Sequence, residues 1–470
     1  MQNRIIIKKK IGNYNKKIII PGDKSLSIRW VLISSLANGI SKAKNLLMSE
    51  DVIATVSAIR KLGVRVKINN TICKIHGVGI DGYKYKRGLT INAQNSGTLG
   101  RLLAGLLINS PYPIKIIGDK SLSKRDFERI AKPLKKFGAN LKLKNNYSLP
   151  LTIKGSQNLK PIRYLENKGS AQVKSCVIFA GARTNGKTII KCKRSRDHSE
   201  RIFKYLKLPI KIKRKKNYDL IEITKVEKIK PINYKIPSDL SSCAFFIALT
   251  ALSEKSKLMI KEVNINPTRT GMLKILKKMG VKISFFNKKI YKGEPLADIF
   301  IQSPKVIKSI NCPSNLNSAA IDEFLVLFLI AAKAKGVSFF KNLDELNKKE
   351  SPRLKWGSKI LKMMGVKLIT TKNSIKIFGN PELNTNKKII IKNYLKDHRV
   401  FMTSVIAALS FGGIWSIANP ESVKTSFPNF LKIINELKKK MKKRDDIIKI
   451  TIDSPAAAGA GTQAKLIGKH

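Results

Sequence analysis

The chain has 470 residues, enough for two or three domains with substantial cores, and 43% of it is hydrophobic. No apolar run reaches the length of a membrane span, and residues 1–10 lack the apolar core and cleavage site of a signal peptide, so a cytoplasmic protein with no membrane partner is expected. The net charge of +63 suggests an anionic partner, but Lys is scattered through every segment alongside Ile and Asn, which reads as compositional bias and implies no specific nucleic acid.

The first informative stretch is Pro21-Gly22-Asp23-Lys24-Ser25-Leu26-Ser27-Ile28-Arg29. It follows a β-like run at residues 18–20 and leads into an apolar helical pattern that runs to Asn38-Gly39. Pro-Gly breaks the strand, and Asp23 or Ser25 can cap the first helical turn. Lys24, the Ser25 hydroxyl and free backbone N–H groups then share a helix N-terminus with Arg29 one turn on, an arrangement suited to an anion. The same residues also describe an ordinary capped helix carrying two solvated cations.

A unit then recurs: an amphipathic helix, a glycine stop and a short β-branched strand. It occurs at Leu62-Gly63-Val64, Phe137-Gly138-Ala139, Met279-Gly280-Val281 and Met364-Gly365-Val366. A glycine just past a helix supplies its left-handed C′ residue. Tyr205-Leu206-Lys207-Leu208 reads as a fifth copy without the glycine, and a helix over residues 430–440 as a sixth. Six units argue for two similar halves of three.

Between these copies lie polar clusters. Asn92-Ala93-Gln94-Asn95-Ser96-Gly97-Thr98-Leu99-Gly100-Arg101 sits between a strand at residues 89–91 and a helix at 102–108. Small residues there let a ligand approach the backbone. Gly118-Asp119-Lys120-Ser121-Leu122-Ser123-Lys124-Arg125 follows, then Gly169-Ser170-Ala171-Gln172-Val173-Lys174-Ser175 and Ser195-Arg196-Asp197-His198-Ser199-Glu200. Hydroxyls and an amide suit a polyhydroxylated ring bearing a phosphate, although Ser-Ala-Gln also reads as a plain helix cap. His198 is read as an orienting or capping residue rather than a base.

In the second half, Ser238 or Asp239 caps a helix through residues 242–252, and Ile321-Asp322-Glu323 enters an apolar helix over 324–332. Glu345-Leu346-Asn347-Lys348-Lys349-Glu350-Ser351-Pro352-Arg353, Asp397-His398-Arg399 and Ser426-Phe427-Pro428-Asn429-Phe430 complete the set. Cys73, Cys176, Cys192, Cys243 and Cys312 form no Cys-x-x-Cys pair, and the four histidines have no metal-ligand spacing. No disulfide framework, metal or other cofactor is expected.

Taken in order over residues 5–440, these stretches resemble the signatures of the 5-enolpyruvylshikimate-3-phosphate (EPSP) synthases. The resemblance implies an α/β fold of two domains, each three βαβαββ units around a pseudo-threefold axis. By analogy one domain takes residues 1–20 and 237–444, and the other takes 21–236. It implies transfer of the enolpyruvyl group of phosphoenolpyruvate to the 5-hydroxyl of shikimate 3-phosphate with no cofactor, and a monomer is expected. Shikimate 3-phosphate falls to Lys24, Ser25, Arg29, Ser170, Ala171, Gln172, Ser195, Asp322 and Lys349. Phosphoenolpyruvate falls to Lys24, Asn95, Gly97, Arg125, Gln172, Arg353 and Arg399. Asp322, Glu350 and Lys24 are the expected catalytic groups.

The chain departs from the family pattern at Asp126, Asn347, Pro352 and Thr425; Asp126 sets a carboxylate beside Arg125. Six cations at one cleft repel one another, so a cleft that opens without polyanions is expected. Ser25 after Lys24 sets the chain apart from the sister enolpyruvyl transferase acting on UDP-N-acetylglucosamine. That enzyme, and a basic nucleic-acid-binding protein, are the alternative readings. Residues 445–470 resemble a degenerate phosphate-binding loop of a cytidylate kinase, with Ser454 and Ala460 where Gly and Lys are needed, and read as a loose vestigial tail.

Overall fold

The structure is a computed structural model in which residues 3–439 are described. The kinase-like tail expected at 445–470 lies outside the described residues. Two hydrophobic cores form. One collects residues 26–236, and the other collects residues 7–20 with 240–437. We call them the central and terminal lobes. Each contains three sheets of three or four strands.

The sheets repeat one plan. In the central lobe Thr90–Asn92 pairs in parallel with Ile114–Ile117, which pairs antiparallel with Ser148–Lys154, and that strand with Asn140–Lys144. Arg163–Glu166, Thr188–Cys192, Asp219–Ile223 and Ile210–Arg214 repeat the plan. In the terminal lobe the chain's first strand, Arg4–Ile7, closes the last sheet by pairing antiparallel with Ile414–Ala418.

The glycine stops fall where the sequence puts them. Gly63, Gly138, Gly280 and Gly365 have φ of +86°, +105°, +87° and +86° between a helix and the next strand. In the fifth unit Lys207 takes the left-handed conformation at φ +55°. Two helix boundaries differ from expectation, and one is the helix expected at 102–108, which runs Gly97–Leu106 and takes the end of the polar cluster as its first turn. The first helix, Lys24–Ser35, ends before Asn38-Gly39, and those residues open the strand Asn38–Lys44 instead. The short helix leaves Gly77 backed against the carbonyls of Ser34 and Ala37, where a Cβ would stand 2.6 and 2.2 Å away.

Six inner helices run through the lobes: Lys24–Ser35, Gly97–Leu106 and Ala171–Gly181 in the central lobe, and Leu240–Leu252, Phe324–Ala332 and His398–Phe411 in the terminal lobe. They are buried around most of their circumference, as centrally placed helices must be. Asp23, Ser96, Ser170, Asp239 and Asp397 each accept a backbone N–H of the helix they precede. Among the described residues no helix is long and apolar enough to cross a membrane.

The chain passes between lobes at two adjacent crossings. Asp23 N donates to Pro237 O (2.7 Å) and Asp239 N to Pro21 O (3.2 Å). A Cβ on Gly22 would lie 2.1 Å from the Asn45 carbonyl, so only glycine fits there.

Candidate active site

The inner helices all begin at residues the sequence singles out, so their N-terminal partial positive charges are pooled between the lobes. Lys24 is the first residue of its helix. Its ammonium pairs with Asp51 at 2.8 Å, and its backbone N–H donates to Asp239 at 3.1 Å. Burial pushes the Asp51 carboxyl up against the pull of Lys24. One turn on, Arg29 is buried and donates to the hydroxyls of Ser199 (2.8 Å) and Ser175 (3.0 Å) and to the Ser25 carbonyl (3.1 Å). Burial lowers its pKa to about 10.

In the central lobe a second cation pair sits over Gly97. A Cβ there would be 3.0 Å from the guanidinium tips of both Arg101 and Arg125. Arg101 donates to Gln172 and to the Asp126 carbonyl, and lies 4.8 Å from the Phe127 ring centroid. Burial lowers its pKa to about 9. Gln172 donates in turn to Thr98, and Asn95 to Asp119. Asp126 does not compete for Arg125: its carboxylate accepts from Arg129 Nε (2.8 Å) and from the Arg129 backbone N–H (3.1 Å) in the first turn of helix Glu128–Lys136.

The terminal lobe contributes a buried ion network centred on Arg353, which is 1% exposed. Its guanidinium meets Asp397 at 2.9 Å, Asp322 at 3.2 Å, and Glu350. Asp322 also pairs with Lys349 at 3.3 Å, and its backbone carbonyl accepts from Arg399. Burial alone would raise the Asp322 pKa, but Lys349, Arg196, Arg399 and Arg353 hold it well below the usual carboxylate range. Glu350 is likewise held well down by Arg353 and Arg125 against burial. Both are carboxylates at neutral pH.

The lobes meet through these groups. Arg196 of the central lobe reaches Asp322 at 2.6 Å, Arg125 lies 3.7 Å from Glu350, and Arg129 lies 3.3 Å from Glu345. Thr425 donates to Glu50. The expectation of a self-repelling cluster is therefore corrected: acids of the terminal lobe offset cations of both lobes.

Lys24, Arg125, Asp322, Lys349, Glu350, Arg353 and Arg399 thus belong to one charged surface. Gln172 joins it through Arg101. The Ser170 hydroxyl is occupied as a helix cap, accepting from Val173 N, and Ala171 starts that helix. The Ser195 hydroxyl is buried without a hydrogen-bond partner, while its carbonyl accepts from Lys174. His198 lies off the cleft, fully buried, with Nδ1 2.7 Å from Glu294. Asp51 and Arg269 carry no signal in the sequence reading, and Arg101 and Arg196 are quoted there without an assigned role. Arg196 stands inside a quoted stretch, but its partner Asp322 is 126 residues away, and no local pattern signals such a pair.

With that geometry in hand, three comparisons bear on the chain. A family model described as EPSP synthase (3-phosphoshikimate 1-carboxyvinyltransferase) matches residues 8–434. A 3-phosphoshikimate 1-carboxyvinyltransferase of Ruthia magnifica subsp. Calyptogena magnifica is 39% identical over 419 residues, 89% of this chain and 94% of the relative. One of Endomicrobium trichonymphae is 38% identical over 92% of this chain and 99% of its own. Among solved structures, an EPSP synthase from Acinetobacter baumannii superposes with a TM-score of 0.81 at 35% identity, covering 93% of this chain and 98% of that one. The enolpyruvyl transferase NikO from Streptomyces tendae, at 13% identity and a TM-score of 0.71, shares the fold.

Proposed function

The chain belongs to the family of EPSP synthases, the 3-phosphoshikimate 1-carboxyvinyltransferases of aromatic amino-acid biosynthesis, and from that premise we propose how its cleft carries out the reaction. The enolpyruvyl group of phosphoenolpyruvate passes to the 5-hydroxyl of shikimate 3-phosphate, and inorganic phosphate is released. The observation that carries the residue assignments is the two-sided pairing of Glu350, with Arg125 from the central lobe and Arg353 from its own, beside an Asp322 that shares Arg353.

Shikimate 3-phosphate is bound by Lys24, Ser25, Arg29, Ser170, Ala171, Gln172 and Ser195 of the central lobe and by Asp322 and Lys349. Phosphoenolpyruvate is bound by Lys24, Asn95, Gly97, Arg125, Gln172, Arg353 and Arg399. Guanidinium groups grip carboxylate and phosphate in bidentate fashion, which suits two substrates that each bear both groups.

Asp322 takes the proton of the 5-hydroxyl, with the Lys24 ammonium stabilising the negative charge that develops on its oxygen, and that oxygen attacks C2 of phosphoenolpyruvate while Glu350 delivers a proton to C3. Glu350 then removes a C3 proton, the C2–O bond to phosphate breaks, and the proton held by Asp322 passes to phosphate or water. Arg125 and Arg353 hold Glu350 ionised, and an anionic substrate that takes up those cations loosens that hold. Glu350 thereby becomes protonatable when phosphoenolpyruvate is in place.

The proposed domain division falls near residues 20 and 237, which is supported by two separate cores, one of residues 7–20 with 240–437 and one of residues 26–236. The chain works as a monomer in the cytoplasm, a compartment that suits its five buried free thiols. Phosphate release measured with both substrates, with each alone, and with UDP-N-acetylglucosamine in place of shikimate 3-phosphate tests the reading. Release that needs both shikimate 3-phosphate and phosphoenolpyruvate is expected; release with neither pair, or only with the sugar nucleotide, would refute it.

A further inference from the structure

Arg269 makes no hydrogen bond to the residues assigned to the substrates, yet it is 3% exposed, with both terminal nitrogens bonded and its Nε buried without a partner. Its guanidinium spans the two crossings. One terminal nitrogen pairs with Asp23, the cap of helix Lys24–Ser35, and the other lies 3.0 Å from Asp239, the cap of helix Leu240–Leu252. The second oxygen of Asp239 accepts from the backbone N–H of Lys24. Arg269 is thereby one side chain removed from the residue that carries the cleft ammonium.

The same nitrogen that meets Asp239 donates to the Ser241 hydroxyl at 2.7 Å, and Ser241 donates to the Glu323 carboxylate. Glu323 is 3% exposed and directly follows Asp322. A second chain of bonds therefore runs from Arg269 to the residue beside Asp322. Its own segment is fixed as well: Arg269 N donates to Asn266 O, and the Asn266 amide donates to Asp197 of the central lobe. A Cβ at Gly271, two residues on, would lie 2.7 Å from the backbone of Ala319 and Ala320 just ahead of Asp322.

We propose that Arg269 is a positioning residue for the reaction, a planar fork that fixes the Lys24 ammonium of the central lobe against the Asp322 carboxylate of the terminal lobe by way of Asp23, Asp239, Ser241 and Glu323. The inference rests on the reading of Asp322 and Lys24 given above. A guanidinium suits the task because its donors are rigidly coplanar, whereas an ammonium is a point charge that fixes no angle between two carboxylates. Displacement by about 1 Å at the reacting atoms is enough to cost on the order of 100-fold in rate.

The test compares Arg269→Lys and Ser241→Ala with the wild-type chain in the phosphate-release assay, after circular dichroism and a thermal melt show each variant folded at the assay temperature. Arg269→Lys keeps the charge between the two aspartates and loses the fork; Ser241→Ala cuts only the arm toward Glu323. Loss of kcat by about 10-fold to 100-fold in each, with KM for either substrate within about 2-fold, is expected. A role confined to stability lowers the melting temperature and leaves kcat of the folded enzyme unchanged. Folded variants with wild-type kcat, or with the loss wholly in KM, would overturn the inference. A wild-type chain that releases no phosphate would overturn the functional reading beneath it, and the two failures are distinct.

Discussion

Glu350 and Arg125 face each other across the cleft, a carboxylate of the terminal lobe 3.7 Å from a guanidinium of the central lobe. Glu350 is thus the terminal-lobe acid best placed to respond when an anion enters on the Arg125 side. Replacing it by Gln keeps its size and removes its proton chemistry. Glu350→Gln is expected to lose roughly 10²- to 10⁴-fold in turnover, and Asp322→Asn the same, by steady-state phosphate release. Near-normal turnover in either variant removes its assignment.

Gly97 stands under two guanidinium groups. In Gly97→Ala the new methyl would sit 3.0 Å from the tips of Arg101 and Arg125, closer than ordinary contact. Arg101 is held by Gln172 and the Asp126 carbonyl, so the Arg125 tip gives way, the fold survives and the anion site shifts. The KM for phosphoenolpyruvate is expected to rise by about 10-fold or more, with a smaller change for shikimate 3-phosphate. Equal increases in the two KM values would contradict the assignment of Gly97 to phosphoenolpyruvate.

Arg353 serves structure and site together. It is the shared partner of Asp397, Asp322 and Glu350, and removing it leaves buried carboxylates with too little positive charge. Arg353→Met is expected to destabilise the fold by roughly 3–5 kcal/mol in denaturant unfolding, besides abolishing turnover. A loss below about 1 kcal/mol would show that the carboxylates find other partners.

His398, the first residue of its helix and 2% exposed, has its pKa lowered from 6.5 to about 3, chiefly by burial and next by Lys24. As pH falls through 6.5 the unfolded chain takes up a proton there, and the folded chain does not until about pH 3. The contribution of neutral His398 to stability is therefore complete above 6.5 and lost progressively below it. Asp397, held down by Arg353 against burial, adds a further loss below about pH 4. The stability of His398→Asn is expected to fall less steeply between pH 6.5 and 4.5, by up to about 1.4 kcal/mol per pH unit. Parallel slopes in the two proteins would contradict a neutral His398.

The repeat was legible because its signals are local. Gly63, Gly138, Gly280 and Gly365 each mark a helix end where a left-handed residue is required, and the structure has one at each. Asp23 and Asp239 announce themselves as caps by the same local logic. What stayed hidden depends on contacts between distant segments. Asp51, in the first turn of helix Glu50–Lys61, is the partner of Lys24 from a segment 27 residues on. Asp126 reads as a competitor for Arg125, yet its carboxylate turns toward Arg129, three residues on. Arg269 carries no pattern at all, since its partners Asp23, Asp239 and Ser241 are 246, 30 and 28 residues away.

The most direct test of the whole account is the mass of the product formed in D2O. Addition places a solvent-derived hydrogen on C3, and elimination removes one of the three hydrogens of the resulting methyl group. The enolpyruvyl methylene of 5-enolpyruvylshikimate 3-phosphate is therefore predicted to carry deuterium when wild-type enzyme turns over both substrates. Product that forms with phosphate release and carries no deuterium would contradict proton delivery to C3 by Glu350.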